Sequence, residues 1–173
     1  MYDALFQFLN RFFKKATLFK TLFNLSPMYR RSCGKILTVS EDLHHVKIVI
    51  RLSYKNKNYV GSMFGGSLFA ATDPIYMIQL MQILGKEYVV WDKATEIKFK
   101  RPVYQNAFVR FEFATDEIQY IKQRVEDEKE IDLVKQLVIT DSNEKIYTEI
   151  SKTIYISSKT YYKEKTLVCV FLI

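Results

Sequence analysis

Residues 58–84, NYVGSMFGGSLFAATDPIYMIQLMQIL, hold three of the chain's five glycines within six positions and then run on in apolar residues. Glycine loses the most freedom on folding, so a cluster marks backbone that turns sharply or lies close to something else. From Ser67 to Leu84 only Ser67, Thr72, Asp73, Gln79 and Gln82 interrupt apolar and aromatic side chains. A helix apolar on every side is one enclosed by other elements. The segment therefore predicts a buried helix around which the rest of the chain is wrapped.

The flanking pattern supplies the wrapping. VKIVIRL (Val46–Leu52) alternates as a half-buried strand, and further alternating runs follow at Thr95–Lys100, Phe108–Phe113, Leu133–Thr140 and Lys145–Ile156. Pro102, the acidic run at 126–132 and Asp141-Ser142-Asn143 break them apart. Short connections between successive strands favour antiparallel neighbours. The expected fold class is α+β, a curved antiparallel sheet around one long buried helix. Upstream, Leu5, Leu9, Phe12, Ala16, Phe19 and Phe23 form a stripe at three- and four-residue spacing, with Arg11, Lys14, Lys15 and Lys20 off it. This predicts an N-terminal amphipathic helix docked on the domain; a basic helix lying on an anionic membrane is the alternative. The expected organisation is residues 1–26 for this helix, 27–156 for the domain and 157–173 for a C-terminal extension ending in the apolar LVCVFLI. That tail reads equally as an edge strand, an interface segment or a disordered end.

Composition bounds the function. The chain has 173 residues, 49% of them hydrophobic and 15% aromatic, enough for one domain with a sizeable core. A formal charge of +7 suits nucleic acid, an anionic membrane or a phosphate-bearing small molecule. The scattered lysines, interrupted by the acidic run, argue against nucleic acid. Cys33 and Cys169 have no CxxC partner, which argues against a disulfide scaffold and a structural zinc site, and no metal is expected. With no signal peptide and no spanning segment read, a soluble, cytoplasmic protein is expected.

The glycine stretch excludes two familiar motifs. Ser67 and Leu68 stand where a phosphate-binding loop needs its lysine. Ser62 and Ser67 each directly follow a glycine and so miss the spacing of a nucleophile elbow. His44 and His45, adjacent in the chain, read as a solvated turn. What remains is the glycine pair Gly65-Gly66 entering a buried helix, whose first amides lack intrahelical partners and carry positive partial charge. Asp73, seven residues on, is a carboxylate in apolar surroundings, where burial raises its pKa and suits it to act as a base. The competing reading makes Asp73 the N-cap of a helix that begins at Pro74. A helix kinked at Pro74, leaving the Ala70 carbonyl free, satisfies both.

Asn58, Phe64-Gly65-Gly66 and Asp73 together resemble the motif of the PaaI-like hotdog-fold acyl-CoA thioesterases, which carry Asn, His-Gly-Gly and Asp at this spacing. FGGSLFAATDPIYM and YVVWDKATEIKFKRP look closer to a bacterial branch of that superfamily. The resemblance covers about Pro27 to Ile156. It implies a hotdog fold, a homodimer or a dimer of dimers, and hydrolysis of an acyl thioester on coenzyme A or an acyl carrier protein. It further implies that Gly65 and Gly66 polarise the thioester carbonyl through their amides, that Asn58 orients the substrate, and that Asp73 is the base or nucleophile, supplied across the dimer interface. No cofactor is implied beyond the coenzyme A of the substrate. Phe64 stands where the family has histidine, and Pro74 follows the aspartate; both depart from the pattern. Phe64 and Ser67 are candidate substrate contacts, Trp91 with Asp92-Lys93 a candidate border of the acyl pocket or, equally well, a strand-edge turn, and Lys98, Lys100 and Arg101 candidate partners for coenzyme A phosphates or an acidic carrier. For those basic residues the wet face of a strand is the alternative. A module that binds acyl groups without turning them over is the alternative to an enzyme, and a peripheral membrane binder a less favoured one.

Overall fold

A computed structural model describes residues 13–170, with the backbone alone for 167–170. In chain order the elements are α1 (Lys15–Leu25), α2 (Pro27–Arg31), β1 (Gly34–Val39), β2 (His45–Ile50), α3 (Gly65–Leu84), β3 (Tyr88–Phe99), β4 (Ala107–Glu112), α4 (Thr115–Glu128), β5 (Glu130–Thr140), β6 (Ile146–Ser158) and α5 (Lys159–Val170). The six strands form one antiparallel sheet in the order β1-β2-β4-β5-β6-β3. The long helix α3 packs on it, as the apolar run at 67–84 predicts, and the architecture is the expected hotdog fold.

Twenty residues give α3 a length of about 30 Å, enough to cross the sheet. Leu68, Ala71, Ile75, Tyr76, Leu80 and Leu84 are buried in the core with Ile48, Ile50, Val109, Phe111, Ile150 and Ile154 from the strands. Tyr76 meets Phe111 and Phe113 edge-on, with centroids 5.0 and 5.2 Å apart. Gln79 is buried and donates from Nε2 to the carbonyl of Leu43 at 2.6 Å, tying the helix to the turn before β2. A buried amide needs such a partner, since an unpaired one costs about 1–3 kcal/mol.

Several elements differ from the expectation. The helix is not wrapped on every side. Phe69, Ala70, Asp73, Met77 and Met81 recur mainly at four-residue spacing and leave one partly exposed face within the single chain. Nor are the last strands joined only by short turns: α4 stands between β4 and β5. Its buried residues Ile118, Ile121 and Val125 fall at helical spacing, and Asp116 and Glu117 suit the positive N-terminal end. Glu117 accepts from the Ala114 amide at 3.4 Å. The acidic run at 126–132 ends that helix and begins β5. The strand at Thr95–Lys100 is the second half of β3, which starts seven residues earlier.

Of the N-terminal stripe, Ala16, Phe19 and Phe23 lie on α1; Phe19 and Phe23 are buried, and Leu18, which the stripe omits, is buried beside them. Leu5, Leu9 and Phe12 lie outside the described residues. Asn24 fastens α1 to β1 by exchanging two hydrogen bonds with the backbone of Ile36, at 3.0 and 2.8 Å. The backbone of Leu167–Val170, in the apolar tail, continues α5; Phe171–Ile173 lie outside the described residues. Among the described residues no helix is long and apolar enough to cross a membrane.

Candidate active site

Helix α3 begins at Gly65, so Asp73 does not cap it and Pro74 lies inside it. Pro74 has no N–H to offer the Ala70 carbonyl. One residue on, the Ala71 carbonyl accepts from the Tyr29 hydroxyl at 3.2 Å, which pins α2 to the middle of α3. Burial pushes the Tyr29 phenol well above its usual range, keeping it a neutral donor.

The loop before α3 is a tight turn. Asn58 Oδ1 accepts from the amides of Val60 and Ser62 at 3.1 and 3.0 Å, and its Nδ2 donates to Ser62 Oγ at 2.8 Å. Gly61 completes the turn at φ +80°, a conformation L side chains rarely adopt. Asn58 thus shapes the entry to the helix through its own loop. The Met63 amide donates to the Val103 carbonyl at 2.7 Å, which joins this loop to the segment after β3.

Phe64 takes the N-cap position without a side-chain hydrogen bond to the helix. No acceptor within the described residues engages the amides of Gly65 and Gly66, while the Ser67 amide turns back to the Phe64 carbonyl at 2.9 Å. The helix start therefore presents free donors and positive partial charge. The two glycines are held small by two rings. A Cβ on Gly65 would lie 2.8 Å from Cζ of Phe99, and one on Gly66 would run into the Phe64 ring. Both rings are more than half exposed. Lys98, Lys100 and Arg101 flank and follow Phe99 in the chain, and strand alternation turns Lys98 away from the face of the Phe99 ring. Lys98 pairs with Glu96 at 3.1 Å and Lys100 with Glu149 at 2.9 Å. Arg101 is exposed and has no carboxylate partner among the described residues.

Asp73 lies two turns further along, on the open face of α3. Its side chain is 43% exposed within the chain, so the burial expected for it is not met by one copy alone. Its Oδ1 lies 3.2 Å from Nζ of Lys152, a β6 lysine whose side chain is only 2% exposed. The same Nζ lies 2.9 Å from Oδ2 of Asp92 and donates to the backbone carbonyl of Asp73. Burial pushes the Asp92 carboxyl above its ordinary range, with Lys152 pulling the other way and the Asp73 charge adding to the rise.

Two local features place this cluster. In β6, Lys152 keeps the inward phase of Ile150, Ile154 and Ile156. In β3, plain strand alternation puts Val90 and Asp92 on one face, opposite Ile156 and Ile154 of β6, and the register irregularity follows only between Asp92 and Ala94, where Lys93 reaches Asp132 at 2.5 Å. Lys152 is absent from the sequence-derived candidates, although a lysine in phase with three buried isoleucines is a legible signal, and Asp92 is read there only within Trp91-Asp92-Lys93, as pocket border or turn.

A groove of about 540 Å³ opens one turn beyond Asp73. Phe19, Leu22 and Phe23 of α1, Met77 and Met81 of α3, and Trp91 line it, with Ser26 and Gln82 among its few polar members. Trp91 thus stands on an apolar surface near Asp73 but away from the glycine pair. Among the described residues no three His, Cys, Asp or Glu side chains cluster as a metal site.

The DUF4442 family, described as a domain of unknown function, matches residues 15–156, and the chain belongs to that family. Its fold is shared with proteins of known structure at low sequence identity. A Pseudomonas aeruginosa protein of unknown function, described as a probable thioesterase, superposes with a TM-score of 0.73 at 17% identity, covering 82% of this chain and 95% of that one. A Haemophilus influenzae thioesterase gives 0.59 at 13%, covering 83% and 90%. A Chlorobaculum tepidum protein of unknown function gives 0.64 at 14%, covering 91% and 94%. No curated protein matches the sequence. At such identities the likeness establishes the fold, and function rests on the site.

Proposed function

We propose that this protein is a homodimeric hydrolase of acyl thioesters, acting on acyl-CoA or an acyl carrier protein through Asp73 of one copy and the Gly65–Gly66 amides of the other. The observation that carries this reading is the spacing on α3. Seven residues separate Gly66 from Asp73, about 10 Å along a helix axis, too far for both to touch one carbonyl group. The free donors and the exposed carboxylate meet at one carbonyl only if they come from two copies.

Two surfaces support pairing. The face of α3 bearing Phe69, Asp73, Met77 and Met81 is apolar apart from the carboxylate and uncovered. The twelve-residue strand β3 is a sheet edge whose outer backbone groups have no partner strand among the described residues, and long edges of this kind template pairing.

In the proposed reaction the thioester oxygen sits against the Gly65 and Gly66 amides. Asp73 takes a proton from water as the water oxygen bonds to the carbonyl carbon. Negative charge gathers on the thioester oxygen, where preorganised amides stabilise it. When the tetrahedral adduct collapses, the C–S bond breaks and the thiolate leaves, taking up a proton. The carboxylate's direct attack on the carbonyl is the variant of this scheme. The acyl chain lies in the apolar groove by Trp91. The basic surface of Lys98, Lys100 and Arg101 serves the phosphates of coenzyme A or an acidic carrier.

A second reading, an acyl-binding module without turnover, is favoured by one contact: the Phe64 ring lies against Gly66. A panel of aliphatic and aromatic acyl-CoAs separates the two. Hydrolysis by the parent, lowered at least a hundredfold in Asp73→Asn with the fold intact, supports the enzyme. Tight retention of acyl-CoA without thiol release supports the binding module.

A further inference from the structure

The structure assigns Lys152 and Asp92 as a positioning pair that fixes the Asp73 carboxylate for its reaction, an inference that rests on the thioesterase reading above. Neither residue touches the proposed substrate carbonyl; both act through Asp73. The geometry is specific. Lys152 Nζ holds Asp73 twice, at Oδ1 and at the backbone carbonyl, so the side chain and the helix that carries it are located by one ammonium group. Asp92 receives the same nitrogen at 2.9 Å.

Burial makes this arrangement expensive as mere scaffolding. A lysine with 2% side-chain exposure loses its hydration, and hydrophobic replacement of buried ion pairs is often neutral or stabilising. Asp92 Oδ1 adds to the expense, being buried with no hydrogen-bond partner. Costs of this kind concentrate at functional sites. The pair compensates in charge: Asp92 balances the buried ammonium from β3, which leaves Asp73 free to be the more exposed of the two carboxylates. The other charged groups near the cluster are committed elsewhere. Lys135, opposite Lys152 on β5, binds Glu117 at 2.7 Å and lies over the Phe113 ring, and Lys93 binds Asp132. Tyr76 of α3, with a phenol pushed up to about 12 by burial, stays neutral beside Lys135. Lys152 is therefore the cation that faces Asp73.

The test compares Lys152→Met, Lys152→Arg and Asp92→Asn with the full-length parent. Lys152→Met should lower kcat at least tenfold with KM within about twofold, as expected when a reacting carboxylate loses its alignment. Lys152→Arg should recover most of kcat. Asp92→Asn should lower kcat by less. If Lys152→Met fails to fold, the double variant Lys152→Met/Asp92→Asn removes the uncompensated acid and carries the same prediction. A kcat loss that Lys152→Arg does not recover, or a rise in KM that matches the fall in kcat, overturns the assignment. A carbon NMR titration of Asp92 reads the pair without turnover: in Lys152→Met this carboxyl should titrate higher than in the parent. A parent inactive on every thioester with that shift present sinks the thioesterase reading and leaves the ion pair standing; an unshifted Asp92 overturns the pair itself.

Discussion

The Phe99 ring lies so close to the α-carbon of Gly65 that a Cβ there would sit 2.8 Å from Cζ. The contact joins the end of β3 to the first turn of α3 and keeps a ring beside the free amides. Because Phe99 is exposed, its ring can swing aside for a methyl group. Gly65→Ala should therefore change stability by less than about 1 kcal/mol in urea denaturation, yet lower thioester hydrolysis at least tenfold by moving the ring. Gly65→Ala combined with Phe99→Ala should regain part of the loss.

The open face of α3 carries its own prediction. Phe69→Asp puts a second charge one turn from Asp73, on the surface assigned to the partner copy. Sedimentation should show the parent as a dimer or a larger even assembly, and Phe69→Asp as a monomer with retained helical circular dichroism. A monomeric parent that is fully active would contradict the two-copy site.

The groove beside Trp91 sets the acyl preference. Met81→Trp fills part of its roughly 540 Å³. The variant should lose at least tenfold in kcat/KM for long aliphatic acyl-CoAs while short ones change little, since each methylene excluded from an apolar pocket is worth about 1–3 kcal/mol. Equal losses for short and long chains would place the acyl group elsewhere.

Helix α5 should loosen in acid. Lys165 binds Glu130 at 2.7 Å, and this contact, joined by the Tyr155 hydroxyl, holds the Glu130 carboxyl below its usual range. A carboxyl depressed on folding contributes stability above its unfolded value, and that contribution is lost as pH falls through the folded one. Amide hydrogen exchange in α5 should therefore speed up below about pH 4, and Glu130→Gln should reproduce the effect at neutral pH. The global change should stay near 1 kcal/mol or below, as for partly exposed pairs generally.

Much of this fold is legible in the residues because α3 is: a run from Ser67 to Leu84 with so few polar positions has one structural solution, and the alternation at β2, β4, β5 and β6 supplies the sheet. Helix α4 is obscured by its charge, since the stripe of Ile118, Ile121 and Val125 is thin among acids and bases. Strand β1 is hidden because only Ile36 of its six residues is buried, so its apolar alternation is weak. At the site, the sequence marks the glycines and Asp73. It does not mark that α3 keeps an open face, because a helix apolar all round says that it will be covered and not by which molecule. Lys152 and Asp92 are concealed by the usual rule that charged residues of a strand face water; only the phase of Lys152 with Ile150 and Ile154 betrays it. Trp91-Asp92-Lys93 reads equally as a strand-edge turn or a pocket border, because its charged residues hide the alternation by which Asp92 keeps the phase of Val90.

The two-copy site is tested most directly by mixing. Asp73→Asn and Gly66→Val, each inactive by itself, are coexpressed with different tags and the mixed dimer is purified. One of its two sites then combines an intact Asp73 with an intact glycine pair, and thioester hydrolysis should return to about half the parent rate. A mixed dimer no more active than either variant, beside an active parent, would contradict the account.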